Sequence, residues 1–553
     1  MAFATVTDRY SPEEIESFYS AGFWQNDTLF GILERQAALR PDKVFITDGT
    51  TALTYRELRD GALRLAVGFK RQGIRKGDRV SVQIPNWAEF AQITLALSRI
   101  GAILVPIMPI LRREDVAYVL RHGGIRMALT AETFKNFNYP EMYGALLPEC
   151  PDLEKIVVVR GAASSESESV IPFTSLLADV DPDAADEELG EGPGPDDHFV
   201  IVYTSGTTAR PKGCLHTFNT MGCGARLLAK NWGYSESDVQ FGPSPVTHTT
   251  GLVTSILLPL MQGASSHIME SWEPVAGLEQ IRRYRCTAAV TAATFLQMLI
   301  DAYDPEKHDP SSLRLWVAAG SPIPAALVER ARELLPKCRV LSLYGRTENI
   351  TTTMCSIDDE PERSLTSDGK ALPGCSVKVV DENGKEVPRG QEGDVAYRGP
   401  MHMLEYVNDP EETAALFTPD GHSRSGDLGV MDEDGYVRIT GRSKDIIIRG
   451  GMNISVRQVE DLLAAHPAIA SVAVVGMPDQ RLGERACCYL VPSPGHEPPT
   501  LEEVRTYLLD KGLAIQKVPE RIEVVEQMPM TATGKIQKHV LRQDIADKLK
   551  QGK

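Results

Sequence analysis

Short apolar runs alternate with amphipathic stretches along the first four-fifths of the chain. Phe45-Ile46-Thr47-Asp48-Gly49 and Leu53-Thr54-Tyr55 predict two short strands around a glycine turn, and residues 58–69 follow with helical period. Strands are predicted at 78–84, 102–107, 127–130 and 155–159, with an apolar helix over 88–97. The apolar run 93–111 has the length of a membrane span, but Arg99, Pro106 and Pro109 interrupt it. A helix followed by a buried strand accounts for it. Residues 162–197, rich in Ser, Glu, Asp, Pro and Gly, predict a surface excursion of limited order that touches down at 171–177. Phe199-Val200-Ile201-Val202 then reads as a strand buried on both faces, and the alternation continues to about Leu343.

Strands alternating with helices predict largely parallel, helix-covered sheets. From 369 to 398 the pattern becomes strand-rich, with Asp381-Glu382-Asn383-Gly384 as a hairpin turn. Gly441-Arg442-Ser443-Lys444-Asp445 divides residues 1–441 from 442–553. That tail predicts strands at 446–448, 469–475 and 487–491 and helices at 456–465, 501–509 and 539–549. The expected class is α/β: a large N-terminal multi-sheet α/β domain plus a small, mobile α+β C-terminal domain, with no internal repeats.

At 553 residues the chain exceeds a single core, which supports the division. A net charge of -17 argues against nucleic-acid or anionic-membrane partners and makes any Lys or Arg beside a glycine loop informative. Nine cysteines without C-x-x-C spacing fit a reducing compartment better than a disulfide or zinc framework. Residues 1–20 lack a basic segment followed by an apolar core, so no signal peptide is expected. A cytoplasmic protein is the expectation.

The strand 199–202 runs into Thr204-Ser205-Gly206-Thr207-Thr208-Ala209-Arg210-Pro211-Lys212-Gly213. Glycines let backbone N–H groups converge on an anion, four hydroxyls add donors, and Lys212 adds charge, so the stretch reads as a phosphate-holding loop. It is not a Walker loop: Gly206 and Lys212 are wrongly spaced, and Pro211 would obstruct the helix such a loop feeds. The stretch closely resembles the corresponding loop of the acyl-adenylating enzymes, the ANL superfamily of acyl- and aryl-CoA synthetases, peptide-synthetase adenylation domains and luciferases. Further motifs follow in the family's order, so that the resemblance covers residues 29–542. Its look is nearest to the alicyclic and aryl acid–CoA ligases.

That resemblance implies an ATP- and Mg²⁺-dependent ligase that uses coenzyme A. In Tyr344-Gly345-Arg346-Thr347-Glu348 it implies that Tyr344 stacks on adenine, Thr347 meets phosphate and Glu348 holds Mg²⁺. Ala318-Ala319-Gly320-Ser321-Pro322 resembles the adenine-side segment, whose small residues admit a flat group close to the backbone. Ser425-Gly426-Asp427 resembles the element whose carboxylate accepts both ribose hydroxyls, and Arg442 lies on the nucleotide side. Lys535, in Thr531-Ala532-Thr533-Gly534-Lys535, takes the place of the adenylation lysine, which neutralises charge developing at the α-phosphate. Lys444 falls at the family's hinge, where the small domain turns between half-reactions and brings Gly450, Gly451 and Asn453 to the CoA channel.

Pro245-Val246-Thr247-His248-Thr249-Thr250-Gly251 resembles the motif whose His lies where carboxylate and thiol meet. Amino-acid-activating members carry Asp, and catechol-acid members Asn, at the position of Thr249, so those substrates are disfavoured. The other expected pocket residues are Thr294, Phe295, Ala318, Ala319, Gly320 and Asn349, small or neutral with one aromatic. An uncharged, roomy cleft favours a bulky apolar acid of alicyclic, terpenoid-like or aryl type. Two departures stand out. Ala209 replaces a common Gly, and Ser455-Val456-Arg457-Gln458 lacks the Pro and one of the carboxylates usual in the thioester-step segment. An acyl-AMP ligase that hands its adenylate to a carrier protein or a partner enzyme is therefore the alternative. A catalytically silent nucleotide- or acyl-binding member is a third reading, and the chain also leaves room for a homodimer.

Overall fold

The structure, a computed structural model, describes residues 3–161, 168–204, 210–531 and 533–551. Among these, two large sheets form the body: one of eight strands and one of seven. In the eight-stranded sheet Arg339–Tyr344, Leu315–Ala319, Ala288–Thr291, Val239–Gly242, Ser265–Ile268 and Val44–Thr47 lie side by side, all parallel. In the seven-stranded sheet Ile103–Pro106, Arg79–Gln83, Ile125–Ala131 and Lys155–Val159 are parallel neighbours. His198–Tyr203 joins Ile103–Pro106 in parallel and pairs antiparallel with Gly213–Thr217. Both sheets follow from β/α alternation, because a parallel crossover needs a helix to return the chain.

Local rules account for most boundaries. The helix Tyr55–Arg71 starts earlier than the period of 58–69 indicates, because Thr54 caps it and Glu57 completes a capping box. The apolar run 93–111 resolves into the helix Glu89–Ile100 and the strand Ile103–Pro106, reversed at Gly101 in the left-handed region. Among the described residues no helix is long and apolar enough to cross a membrane. A four-stranded antiparallel sheet spans residues 376–442, and the turn at Asp381–Gly384 closes with Gly384 N donating to Asp381 O at 3.0 Å. The C-terminal part carries its own sheet, in which Ile469–Asp479 and Gly483–Pro492 form a long hairpin, covered by the helices Val456–Leu463, Leu501–Asp510 and Lys538–Lys550.

One expectation needs correcting. The excursion 162–197 is more ordered than its composition suggests over its described part, 168–197. Val170–Pro172 adds a strand to the seven-stranded sheet, and Phe173, Leu176, Ala185 and Leu189 are buried. The backbone of Leu176 lies so close to Gly68 that a β-carbon there would stand 1.9 Å from its carbonyl oxygen. Asp186 pairs with Arg99 at 2.6 Å and Glu188 with Arg71 at 2.8 Å, so the acidic residues that suggest disorder serve as anchors.

Candidate active site

Four neighbouring parallel strands of the eight-stranded sheet end at one edge, and each delivers a candidate residue just past its carboxyl end. Arg339–Tyr344 ends on Tyr344, Leu315–Ala319 leads to Gly320 and Ser321, Ala288–Thr291 to Thr294 and Phe295, and Val239–Gly242 to the loop bearing His248. Ligand sites in open α/β sheets lie at such strand ends, where loops are free to vary and helix N-termini converge.

Lys535 reaches this edge from the C-terminal part. A β-carbon on Gly320 would stand 3.0 Å from its Cε and 3.5 Å from its Nζ. Gly534 is seated beside it: Thr294 Oγ1 donates to its carbonyl at 3.0 Å. Any β-carbon on Gly534 would meet Thr294 Oγ1 at 2.5 Å and Phe295 Cε2 at 2.8 Å, and its φ of +77° favours glycine on its own account. The half-buried ammonium has no ion-pair partner among the described residues. Burial, with Arg442 nearby, pushes its pKa down to about 8, against the pull of Asp427 and Glu348.

His248 sits at the start of a short helix, Thr249–Gly251, that continues as a π-helical turn, Leu252–Leu257. Its Nδ1 accepts from Thr250 N at 3.3 Å, so the neutral ring carries its proton on Nε2. Burial and the neighbouring Lys535 push its pKa down to about 3, which keeps the ring neutral at physiological pH. Gly251 is compulsory, since a β-carbon would stand 2.1 Å from Pro245 O. The Thr247 and Thr249 side chains are buried, and neither hydroxyl has a hydrogen-bond partner.

On the nucleotide side, Tyr344 Oη donates to Asp427 Oδ2 at 2.6 Å, and Arg442 Nε donates to Asp427 Oδ1 at 2.9 Å. Three widely spaced motifs thus form one cluster. Ser321 Oγ, beside Gly320, is buried without a partner, an orphan donor suited to the polar edge of a ligand. Gly345 is dictated by the turn after it: a β-carbon would stand 2.0 Å from Ile350 O. Ile350 itself has φ +57°, a strained value for a β-branched residue. Asn349 is fully buried, accepting from Arg346 Nε at 3.0 Å and donating to Thr352 Oγ1 at 3.0 Å. The Thr347 carbonyl accepts from His216 at 2.8 Å.

Glu348 and Lys212 meet through a residue that the motifs do not include. Tyr406 Oη donates to Glu348 Oε1 at 2.6 Å, while Lys212 Nζ lies 4.9 Å from the Tyr406 ring centre and pairs with Glu412. The second Glu348 oxygen makes no hydrogen bond among the described residues. Among the described residues no group of three or more potential ligands could hold a metal ion alone. Glu348 is the residue that would hold Mg²⁺, an ion bound through one or two carboxylates plus a substrate's own phosphates. Ser205, Gly206, Thr207 and Thr208 lie outside the described residues. The ends of their loop are tied, with Thr204 N donating to Lys212 O at 2.9 Å. Lys444 is exposed in a single turn, Ser443–Asp445, where Arg542 donates to its carbonyl at 3.2 Å and pairs with Asp445 at 2.5 Å. Gly450, Gly451 and Asn453 form the exposed tip of a hairpin between Ile447–Arg449 and Met452–Ile454, with Gly450 N bonded to Leu482 O at 2.7 Å.

Motif reading also misses Asn86. Buried past the end of Arg79–Gln83, it donates to Ser244 O and Met269 O, both at 3.0 Å, and accepts from Val246 N at 2.9 Å. This one amide pins the His248 loop of one sheet to the end of the other. An isolated Asn after Ile84-Pro85 gives no signal in sequence.

Residues 33–407 match the family model described as AMP-binding enzyme, and 458–535 match AMP-binding enzyme C-terminal domain. The chain is 36% identical to the medium-chain fatty-acid–CoA ligase of Escherichia coli K12 over 548 residues, covering 99% of this chain and 95% of that one. It is 31% identical to the 2,3-dihydroxybenzoate-AMP ligase of Bacillus subtilis 168 over 544 residues, 98% of each. The solved anthranilate CoA ligase AuaEII, in complex with anthranoyl-AMP, superposes with a TM-score of 0.84 at 27% identity, over 95% of this chain and 98% of that one. With both family models matched and the Escherichia coli relative aligned over nearly its whole length, the chain belongs to the AMP-binding enzymes of the ANL superfamily and is an ATP-dependent, AMP-forming acid–thiol ligase.

Proposed function

We propose that this ligase activates a bulky apolar carboxylic acid, alicyclic, terpenoid-like or aryl, and transfers its acyl group to coenzyme A. The observation that carries the reading is Lys535: an ammonium from the C-terminal part with no ion-pair partner among the described residues, set near Gly320 and His248 at the ends of four parallel strands.

In the first step a carboxylate oxygen attacks the α-phosphorus of ATP and pyrophosphate leaves, giving the acyl-adenylate. Lys535 neutralises the negative charge that builds between the two oxygens, and the neutral His248 donates Nε2–H to orient the carboxylate. Asp427, with Tyr344 and Arg442, takes the ribose side. Glu348 would hold Mg²⁺, which screens the phosphate charge when bound. In the second step a thiolate attacks the acyl carbon and AMP leaves. We assign residues 1–441 to the ATP-binding domain and 442–553 to a cap that turns at Lys444, carrying Gly450, Gly451 and Asn453 toward the thiol.

The relatives named above act on fatty and aryl acids, so the choice of acid rests on the pocket. Thr249, Ala318, Gly320, Thr294 and Phe295 are small or uncharged, which suits a compact apolar acid better than an amino acid. The alternative, an acyl-AMP ligase that passes its adenylate to a carrier or partner enzyme, is supported by Val456 and Gln458, which depart from the usual thioester-step segment. A panel of cyclohexanecarboxylate, benzoate, octanoate and glycine tests both. Acid-dependent ATP–pyrophosphate exchange is expected with the first two at least tenfold above glycine, and thioester formation with free CoA separates the two readings. Fastest exchange with glycine would refute the substrate class.

A further inference from the structure

The cap that delivers Lys535 also plants a buried arginine in the body. Arg457 lies in the first turn of the helix Val456–Leu463, and its Nη1 stands 3.1 Å from Asp368 Oδ2, with the two side chains only 6% and 5% exposed. The same nitrogen donates to Ile439 O. Asp368 is held from the body by Ser342 Oγ at 3.1 Å and Ile439 N at 2.8 Å. Ser342 belongs to the strand that ends on Tyr344.

A second crossing pair runs the opposite way. Asp461, one turn along the same helix, is 2.9 Å from Arg438 of the body and 3.5 Å from Arg457 Nε. The four charges therefore alternate: Asp368, Arg457, Asp461, Arg438. Ser455 adds a hydrogen bond to Thr440 O at the root of the helix. This is also where the sequence departs from its family, at Ser455-Val456-Arg457-Gln458.

The pair is buried but incompletely satisfied, since Arg457 Nε and Nη2 have no hydrogen-bond partner among the described residues. Charges taken out of water recover their desolvation cost only when every donor is met. A short-handed pair therefore sits near balance. Turning the cap away would return both Arg457 and Asp368 to water together, instead of stranding one of them. Such a contact holds one orientation firmly enough to define it and weakly enough to release it.

We propose that Arg457 is a positioning residue for Lys535: its ion pair with Asp368 latches the cap in the orientation that adenylates, coupling the cap to the strand that carries Tyr344. The proposal rests on the two-step reading above. It is tested in the full-length protein with Arg457→Met, which keeps the side-chain length and removes the charge, and Arg457→Lys, which keeps the charge. The acid is whichever of cyclohexanecarboxylate, benzoate and octanoate the wild type exchanges fastest.

Arg457→Met is expected to slow pyrophosphate exchange about tenfold while thioester formation from the supplied adenylate stays within twofold or rises, and Arg457→Lys to recover most of the loss. Tryptic cleavage at Arg442 and Lys444 is expected to quicken severalfold in Arg457→Met. Equal loss of both half-reactions, unchanged exchange, or unchanged cleavage would overturn the latch. If the wild type exchanges with none of the acids, the functional reading fails by itself, and the ratio of cleavage rates between wild type and the two variants still decides the latch.

Discussion

Replacing Lys535 by Ala removes the ammonium that the C-terminal part brings to the sheet edge. In the effective dielectric of about 20 that suits sites near a protein surface, a unit charge about 4 Å from a developing oxyanion contributes on the order of 4 kcal/mol. Water that enters the space left by the side chain returns part of this, and single preorganised donors in other enzymes account for about 2.7–4 kcal/mol, or 10²–10³ in rate. The structure says where the loss will fall. Lys535 makes no ion pair among the described residues, so its removal strands no carboxylate and Tm should move by no more than about 2 °C. Asp427, Tyr344 and the loop ending at Lys212 remain, so KM for ATP should change less than threefold. Acid-dependent pyrophosphate exchange should drop by about 10²–10³, while thioester formation from a supplied adenylate persists. Exchange within threefold of wild type would refute the role. So would a loss that appears wholly in KM for ATP, because the ammonium would then bind the ground state and not the transition state.

Other outcomes follow from the same geometry. The proposed role requires the Lys535 ammonium, whose pKa is lowered to about 8, so kcat/KM for adenylation should hold below that pH and fall as pH rises through it; Lys535→Arg should carry the limb beyond pH 10, and a limb that does not move assigns it to another group. In Gly345→Ala the new β-carbon collides with Ile350 O, so about 1–3 kcal/mol of stability should be lost in urea titrations together with nucleotide affinity. Asp427→Asn leaves Arg442, more than half exposed, free to rehydrate, so stability should change by less than about 1 kcal/mol. Binding of ATP, measured by calorimetry, should weaken about tenfold or more as a charged acceptor is lost.

What could be read from the sequence and what could not divide along a physical line. The large α/β body, the α+β tail and most elements follow from hydrophobic period, and several candidate site residues follow from short motifs because those motifs are turns at strand ends. Such a turn packs its special residues into consecutive positions, so Tyr344, Gly345 and Glu348 arrive together, as do His248 and Gly251. The residues that hold those turns in place come from elsewhere in the chain and are of ordinary types. Asn86 fixes the His248 loop from the other sheet, Tyr406 links Glu348 to Lys212, and Ile350 accepts a left-handed backbone so that Gly345 can pass beneath its carbonyl. None has a local pattern, since its role exists only once distant segments meet. Within 162–197 the touchdown near 171–177 is legible as apolar residues, but the order of the acidic part is not, for the same reason: Asp186 and Glu188 suggest limited order by composition, yet Arg99 and Arg71, far earlier in the chain, turn them into anchors.

The same division bears on how the cap works. A helix surface with Arg457 and Asp461 four residues apart would pass in sequence for a solvated i, i+4 pair worth a few tenths of a kcal/mol. Its surroundings change that. Asp368 and Arg438, both from the N-terminal part, bracket the pair and leave Arg457 almost no exposure to water, so four modest charges become one buried contact across the proposed boundary. Lys535 stands at the sheet edge with that contact made, tied by Thr294 to Gly534. Two separate footholds, one at Lys535 and Gly534 and one at the helix Val456–Leu463, therefore belong to a single placement. A variant that frees only the second should leave the lysine's chemistry intact but its residence at the site shortened, which is why loss confined to adenylation, and not to both steps, is the discriminating result.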